Sequence, residues 1–289
     1  MKIRAPAKIN LNLRVVGKRA DGYHLLDTIM VPVSLYDEIE IRRSRLANKK
    51  RKSSPELVRV ICNHPLVPQG GENIAYRAAR LLMGQARREQ PIRIHIRKRI
   101  PVGAGLGGGS SDAAAVLVGL NKMLRLRFPV SKLLKLALTL GADVPFFIRS
   151  KPARARGIGE KLRLLPKVAR RWLVIVYPGF QVPTAWVYGN LPPKLTKHSV
   201  NTSIASPLKN LDKLGKLLVN DLEQVTIERY PEIGRLKRKL SLTGAAGALM
   251  SGSGSSVFGI FSSQQKAEKA LRRLRQEEDV QAFLAHVLS

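Results

Sequence analysis

The sequence predicts an α+β protein of two domains, and three observations carry that reading. Alternating strand-like stretches and helical stretches follow one another along the chain without a strict βαβ order. The 289 residues, 44% of them hydrophobic, suffice for two cores of ordinary size. A strand runs into a helix through Pro101-Val-Gly-Ala-Gly-Leu-Gly-Gly-Gly-Ser-Ser111, which places five glycines between Gly103 and Gly109. The stretch Pro166–Arg171 reads as a linker, so the domains are expected at 1–165 and 166–289.

Taken in order, Lys8–Val16 alternates polar and apolar residues and predicts a strand with one buried face. Gly17–Gly22 is a turn cluster, followed by Tyr23 and His24 and then by two strands, Leu25–Ser34 and Glu38–Arg42. Arg42–Lys52 holds seven basic residues in eleven and reads as a solvated loop. Leu57–Cys62 predicts a strand. Its Cys62 is the single cysteine, so no internal disulfide is possible and a small core residue is expected. Asn73–Arg88 has helical periodicity, with Ile74, Ala78, Leu81 and Leu82 on one face. Ile92–Ile100 is the strand that enters the glycine stretch. Helices are predicted at 110–125 and 131–140, and Gly141–Pro145 leads into a Pro-bounded strand.

Short strands follow at Ala153–Gly157 and Lys161–Leu165, and a buried one at Trp172–Tyr177. Leu211–Arg229 and Pro231–Lys239 fit helices. Thr243–Ser256 is a second glycine-rich stretch, ahead of a strand at Val257–Phe261 and a helix at Gln264–Glu278. No apolar run reaches membrane-spanning length, and the first residues show no signal-peptide pattern, so a cytoplasmic protein is expected.

The first glycine stretch is a candidate phosphate cradle. Glycines let the backbone take φ > 0 and let a bulky anion approach the main chain. The unpaired N–H groups of the following helix point at that anion. A plain strand-to-helix turn would need one glycine, not five. The stretch contains no G-x-x-x-x-G-K-[ST]. No strand follows its helix, as a dinucleotide fold requires. The partner motifs of a protein kinase are missing.

The pattern resembles the signature P-x-G-x-G-L-G of the small-molecule kinases named for galactose, homoserine, mevalonate and phosphomevalonate. Three further stretches match the same superfamily: Pro6-Ala-Lys-Ile-Asn-Leu-Asn12, Gly141-Ala-Asp-Val-Pro-Phe146 and Met250-Ser-Gly-Ser-Gly-Ser-Ser-Val-Phe258. With Ala20-Asp-Gly-Tyr-His24, the resemblance spans residues 5 to about 262. It points to the branch that phosphorylates the 2-hydroxyl of a cytidine-diphosphate-linked methylerythritol, on the methylerythritol phosphate route to isoprenoid precursors. It implies a two-domain fold with the active site in the cleft between domains, and ATP, with Mg²⁺, as the phosphoryl donor.

The resemblance assigns Lys8 and Asp143 as the catalytic pair. Asp143 would accept the proton of the attacking hydroxyl, and Lys8 would offset charge on the moving phosphoryl group. By sequence position alone, Lys8 reads as an ordinary surface lysine and Asp143 as a turn or cap residue. The nucleotide residues implied are Pro101, Val102, Gly103, Ala104, Gly105, Leu106, Gly107, Gly108, Gly109, Ser110 and Ser111. The substrate residues implied are Asn12, Tyr23, His24, Thr184, Tyr188, Gly252, Ser253 and Gly254. Tyr23, His24 and Tyr188 would take the cytosine by stacking and edge hydrogen bonds. No carboxylate stands out as a metal ligand, so the ion is expected to rest mainly on phosphates and water.

Two rivals remain at this point. A mevalonate- or homoserine-type kinase would need no base pocket, which Ala20–His24 argues against. A nucleic-acid-binding protein is suggested by the net charge of +31, from 51 Lys and Arg against 20 Asp and Glu. Against it, the cations are spread through every element and only 5% of residues are aromatic. The expected partner is a small nucleotide-alcohol, with no membrane and no specific nucleic acid, and with a monomer or weak homodimer as the working state. Arg154 and Arg156 are left as surface residues or extra anion contacts.

Overall fold

The structure, a computed structural model, describes residues 1–44, 57–166, 169–192 and 217–289. The chain forms two compact units. One comprises Met1–Pro6, Tyr36–Val102 and Gly108–Arg149, and the other Ala7–Leu35, Gly103–Gly107 and Ser150–Ser289. Two long strands, β1 (Lys2–Lys18) and β2 (His24–Arg43), supply residues to each. The two strands expected at 25–34 and 38–42 are one. Asp37 does not open a turn because its buried carboxylate accepts the N–H groups of Arg99 (2.6 Å) and Ile100 (2.9 Å).

In the first unit β3 (Val58–Cys62) lies parallel to β4 (Ile92–Arg97), and β4 runs antiparallel to Glu38–Arg43 of β2. Period-two alternation buries Val58, Val60, Ile92, Ile94, Ile39 and Ile41 on one face. The helices are α1 (Ile74–Gln85), α2 (Gly108–Met123), α3 (Val130–Leu140) and α4 (Val144–Arg149). Asn73 caps α1 by accepting the Ala75 N–H at 2.8 Å. Gly119 lets the α2 backbone sit on the sheet, since a methyl there would stand 2.4 Å from the Ile3 Cδ1. The strand expected after Asp143 is instead the helix α4. Pro145 falls in its first turn, where a missing N–H costs nothing, and Val144, Phe146 and Phe147 become buried. Cys62, expected in the core, is only partly buried.

In the second unit Leu26–Met30 of β2 pair antiparallel with β5 (Ala153–Gly157), and β5 pairs with β6 (Lys161–Leu164). A separate antiparallel sheet has the order β11-β7-β10-β9, built from β7 (Trp172–Tyr177), β9 (Gly247–Met250), β10 (Val257–Phe261) and β11 (Gln281–His286). Helices α5 (Thr184–Gly189), α6 (Glu223–Arg229), α7 (Pro231–Leu242) and α8 (Gln264–Glu277) belong to the same unit. Val174, Val176, Leu236, Leu240, Phe261 and Leu274 meet in its core.

The helix expected over 211–229 begins only at Glu223. Its residues 211–216 lie outside the described ones, and Val219–Asn220 form a strand, β8, parallel to Asn12–Leu13 of β1. Asn220 and Asp221 take backbone N–H groups on their side chains, which competes with helix. β9, α5 and β11 were not legible as separate elements. Residues 45–52 of the basic loop and 167–168 of the linker lie outside the described residues. Among the described residues no helix is long and apolar enough to cross a membrane.

Arg154 is not a surface residue. It is buried with Asp27, its Nε donating to Oδ1 at 2.7 Å and its Nη2 to Oδ2. Arg156 is half-exposed and reaches the same carboxylate at 3.6 Å. Removing one partner of a buried pair strands the other charge, at a cost of about 3–5 kcal/mol. Arg154→Ala is therefore expected to lower the urea midpoint by that amount of stability. Asp27→Leu combined with Arg154→Met is expected to recover most of it, and equilibrium unfolding measures both.

Candidate functional site

Three segments of the second unit converge: the glycine stretch Gly103–Gly107, the strand carrying Lys8, and the turn Met250–Ser256. Gly103, Gly105 and Gly107 all lie in the left-handed region, with φ of +68°, +74° and +70°. The carbonyls of the first stretch are occupied. Ala104 O accepts from Ser256 N (3.2 Å), Gly105 O from Ser251 Oγ (3.0 Å) and Leu106 O from Lys8 N (2.9 Å). Its N–H groups, from Gly103 to Gly107, donate to no acceptor among the described residues. Carbonyls held and N–H groups left over make an anion-binding concavity.

Gly105 admits no side chain at all. A methyl there would meet Ser251 O at 2.0 Å, so backbone packs directly on backbone. Gly252, at φ +57°, closes the same contact from the other side. A methyl on it would stand 3.1 Å from Gly105 O and 3.5 Å from the Lys8 Nζ. Among the described residues the N–H groups of Gly252, Ser253 and Ser255 also donate to nothing. Two glycine turns thus flank one ammonium.

Alternation along β1 produces this ammonium's setting. Ile9, Leu11 and Leu13 face one way, and Lys8, Asn10 and Asn12 face the other. The strand was expected to bury one face, but both are buried here, the polar one included. Lys8 Nζ donates to Asn10 Oδ1 (2.7 Å), Asn10 Nδ2 to Thr28 Oγ1 (2.8 Å), and Thr28 Oγ1 to Asn12 O (2.6 Å). Asn12 Nδ2 holds Leu217 O at 2.8 Å, while its buried Oδ1 has no hydrogen bond among the described residues. Asn10 and Thr28 were not singled out from the sequence. The signal for Asn10 was the polar residue at every second place of an otherwise apolar strand, whereas Thr28 follows Asp27 directly and carried no such signal.

Of the residues expected around a base, His24 and Tyr188 stack, with ring centroids 5.2 Å apart and planes 25° from parallel. Burial, and then the charge of Lys18, lower the His24 pKa below its ordinary value, so the imidazole is neutral at pH 7. Tyr23 is 62% exposed and lies outside that stack. Thr184 Oγ1 and Ser253 Oγ share a hydrogen bond of 2.8 Å, which joins α5 to the second glycine turn.

The first unit contributes the start of α2 and the turn before α4. α2 opens at Gly108, and its first N–H groups have no intrahelical acceptor. Ser111 is buried with its Oγ unpartnered among the described residues. Asp112, in the first turn of α2, is buried. Its Oδ2 accepts from Lys98 Nζ at 2.9 Å, and the same ammonium also holds Asp37. Burial pushes the Asp112 carboxyl up, against the pull of Lys98. Asp143 stands in the turn between α3 and α4, partly exposed, in a different unit from Lys8. Among the described residues no group of three or more His, Cys, Asp or Glu could hold a metal ion.

Comparison with known proteins places this geometry. The family profile for the GHMP kinases N terminal domain matches residues 73–151, and that for the GHMP kinases C terminal region matches 203–279. The chain is 49% identical, over 93% of its length and 92% of the relative's, to a 4-diphosphocytidyl-2-C-methyl-D-erythritol kinase of Citrifermentans bemidjiense. It is 47% identical, over 96% and 95%, to one of Geobacter metallireducens. A solved 4-(cytidine 5'-diphospho)-2C-methyl-D-erythritol kinase superposes with a TM-score of 0.83 at 35% identity, covering all of both chains. A homoserine kinase from Cytophaga hutchinsonii shares the fold, with a TM-score of 0.73 at 19% identity over all of this chain and 97% of that one.

The backbone contact at Gly105 yields a direct test. Gly105→Ala is expected to force the two glycine turns apart and to abolish binding of a nucleoside triphosphate. Titration calorimetry and the loss of a nucleotide-induced rise in Tm would report it.

Proposed function

Because this chain belongs to the GHMP kinases, we propose that it transfers the γ-phosphoryl group of ATP to the 2-hydroxyl of 4-diphosphocytidyl-2-C-methyl-D-erythritol. The observation that carries this reading is the pair of glycine turns flanking Lys8, with unpaired N–H groups on both turns. Relatives at 47–49% identity bear the name of that activity. The reaction runs in the cytoplasm on a small nucleotide-alcohol, in a monomer or weak homodimer, with no membrane and no specific nucleic acid as partner.

Phosphoryl transfer depends on positioning and charge neutralisation. Gly103–Gly107 and the start of α2 bind the phosphates through main-chain N–H groups. The acceptor oxygen attacks the γ-phosphorus, the bond to the β–γ bridging oxygen breaks, and the hydroxyl proton passes to Asp143. Lys8, fixed by Asn10, offsets the charge on the equatorial oxygens. Mg²⁺ bound with the triphosphate would supply further neutralisation. The donor set fits an ion held by phosphates and water, with the unpartnered hydroxyl of Ser111 as the protein oxygen available to it.

Recognition of the cytosine falls to His24 and Tyr188. A neutral imidazole can both donate to and accept from a base edge. The two stacked rings offer a π-face for the base, and Tyr23 adds an exposed ring next to them in sequence. Mevalonate and homoserine offer nothing for this stack to hold.

ATP consumption measured with the cytidine-diphosphate alcohol, mevalonate and homoserine is expected to be substantial with the first alone. Equal turnover of the others would overturn the reading. Asp143→Asn is expected to lower kcat by roughly 10²–10⁴-fold with nucleotide affinity nearly unchanged. Tyr188→Ala is expected to weaken the cytidine acceptor by roughly 1–3 kcal/mol in calorimetric titration. ATP binding should be spared, and an equal loss for both ligands would make the stack structural.

A further inference from the structure

The segment Asn220-Asp221-Leu222-Glu223 belongs to none of the glycine motifs, yet it touches both halves of the site in the second unit. Asn220 is buried, and its carboxamide is fully used. Nδ2 donates to Met250 O (2.9 Å) and to Gly252 O (2.8 Å), while Oδ1 accepts from Leu222 N (3.0 Å). Glu223 Oε1 accepts the Met250 N–H at 2.9 Å. In the other direction, Asp221 Oδ2 accepts from Val15 N and Oδ1 from Arg14 Nη1, both at 2.9 Å, and Asp221 N donates to Leu13 O at 3.0 Å. Asn220, Asp221 and Glu223 therefore fasten the second glycine turn to the strand that carries Lys8.

The chemistry of the held groups gives the clamp its purpose. Asn220 captures carbonyls of the turn, the groups that would repel a phosphate. The N–H groups of Gly252, Ser253 and Ser255 stay unpaired beside the Lys8 ammonium. A turn that only linked β9 to β10 would not need both carbonyls held by one buried amide. An amide is required because Asp would turn two donors into acceptors facing two carbonyl oxygens.

We infer that Asn220 is a positioning residue for phosphoryl transfer, holding the Gly252–Ser255 turn so that its N–H groups face the transferred phosphate alongside Lys8. This rests on the kinase reading above. Misplacement of a positioned group by about 1 Å costs on the order of 10²-fold in rate.

The test compares the full-length wild type with Asn220→Asp and, as a control for lost stability elsewhere in the same unit, Arg154→Ala. Steady-state kinetics are run at a temperature where circular dichroism shows each variant folded. Asn220→Asp is expected to lose about 10²-fold in kcat, with KM for ATP and for the acceptor changed less than about threefold. Arg154→Ala is expected to keep its kcat. A folded Asn220→Asp with near-normal kcat overturns the inference, as does an equal loss of kcat in the control. If Asn220→Asp does not fold, Glu223→Ala decides. It frees the Met250 N–H and, on α7, the partly exposed Lys237 ammonium, and a kcat loss of about tenfold supports the clamp while an unchanged kcat removes it. A wild type inactive on the cytidine-diphosphate alcohol would instead overturn the substrate reading. The same comparison would then be made on whichever alcohol it phosphorylates, or on its acceptor-free hydrolysis of ATP.

Discussion

The contact on which the site depends is the one between the backbone at Gly105 and the backbone at Ser251. Two turns 146 residues apart pack with no side chain between them, and Ser251 Oγ bonds the Gly105 carbonyl across the join. Two features of the second unit's site follow from that contact. It engages the carbonyls, which leaves N–H groups as the free polarity of both turns. It brings Gly252 close enough to Lys8 that even a methyl group would touch the ammonium. Charge is then gathered without a dedicated acidic or metal-binding cluster, because the backbone itself supplies the partial positive charges.

Buried polarity is the second theme. Lys8, Asn10, Thr28 and Asn12 form a chain of hydrogen bonds inside the protein, and Lys98 holds two buried acids near the start of α2. Such groups are costly to desolvate unless they are paired, so their presence marks positions where geometry outweighs packing economy. Arg154 and Asp27 obey the same rule in a region with no expected ligand, which shows that pairing alone does not identify a site.

The sequence displayed the parts of this arrangement whose chemistry is local. Glycine density announced the first glycine turn, because only glycine takes φ near +70° without cost. Short apolar runs announced β7 and β10, and clean alternation announced β1 and β4. It did not reveal that Lys8 is buried, since a lysine on an alternating strand reads the same whether the polar face meets water or protein. The helix α4 was hidden by Pro145, which breaks a helix interior but not a first turn. Asn220 and Asp221 were absorbed into a helical stretch because their partners, Met250, Gly252 and Val15, are distant in sequence. Arg154 was misread for the same reason, its acid lying 127 positions earlier. What was missed is what long-range pairing decides.

The approach of Lys8 on β1 to the second glycine turn also has a consequence for how the protein comes into being. Lys8 leaves the ribosome about 240 residues ahead of Gly252. At about 5–20 residues per second, the first strand waits roughly 12–50 s for the segments that bury its polar face. For most of that interval, until Val219–Asn220 are made and pair with Asn12–Leu13, the edge of that strand has no neighbour on that side. The last quarter of the chain therefore does more than complete a second sheet. Its arrival ends the exposure of the first strand, and a nascent chain truncated before residue 250 would carry a nearly whole set of motifs with no assembled centre.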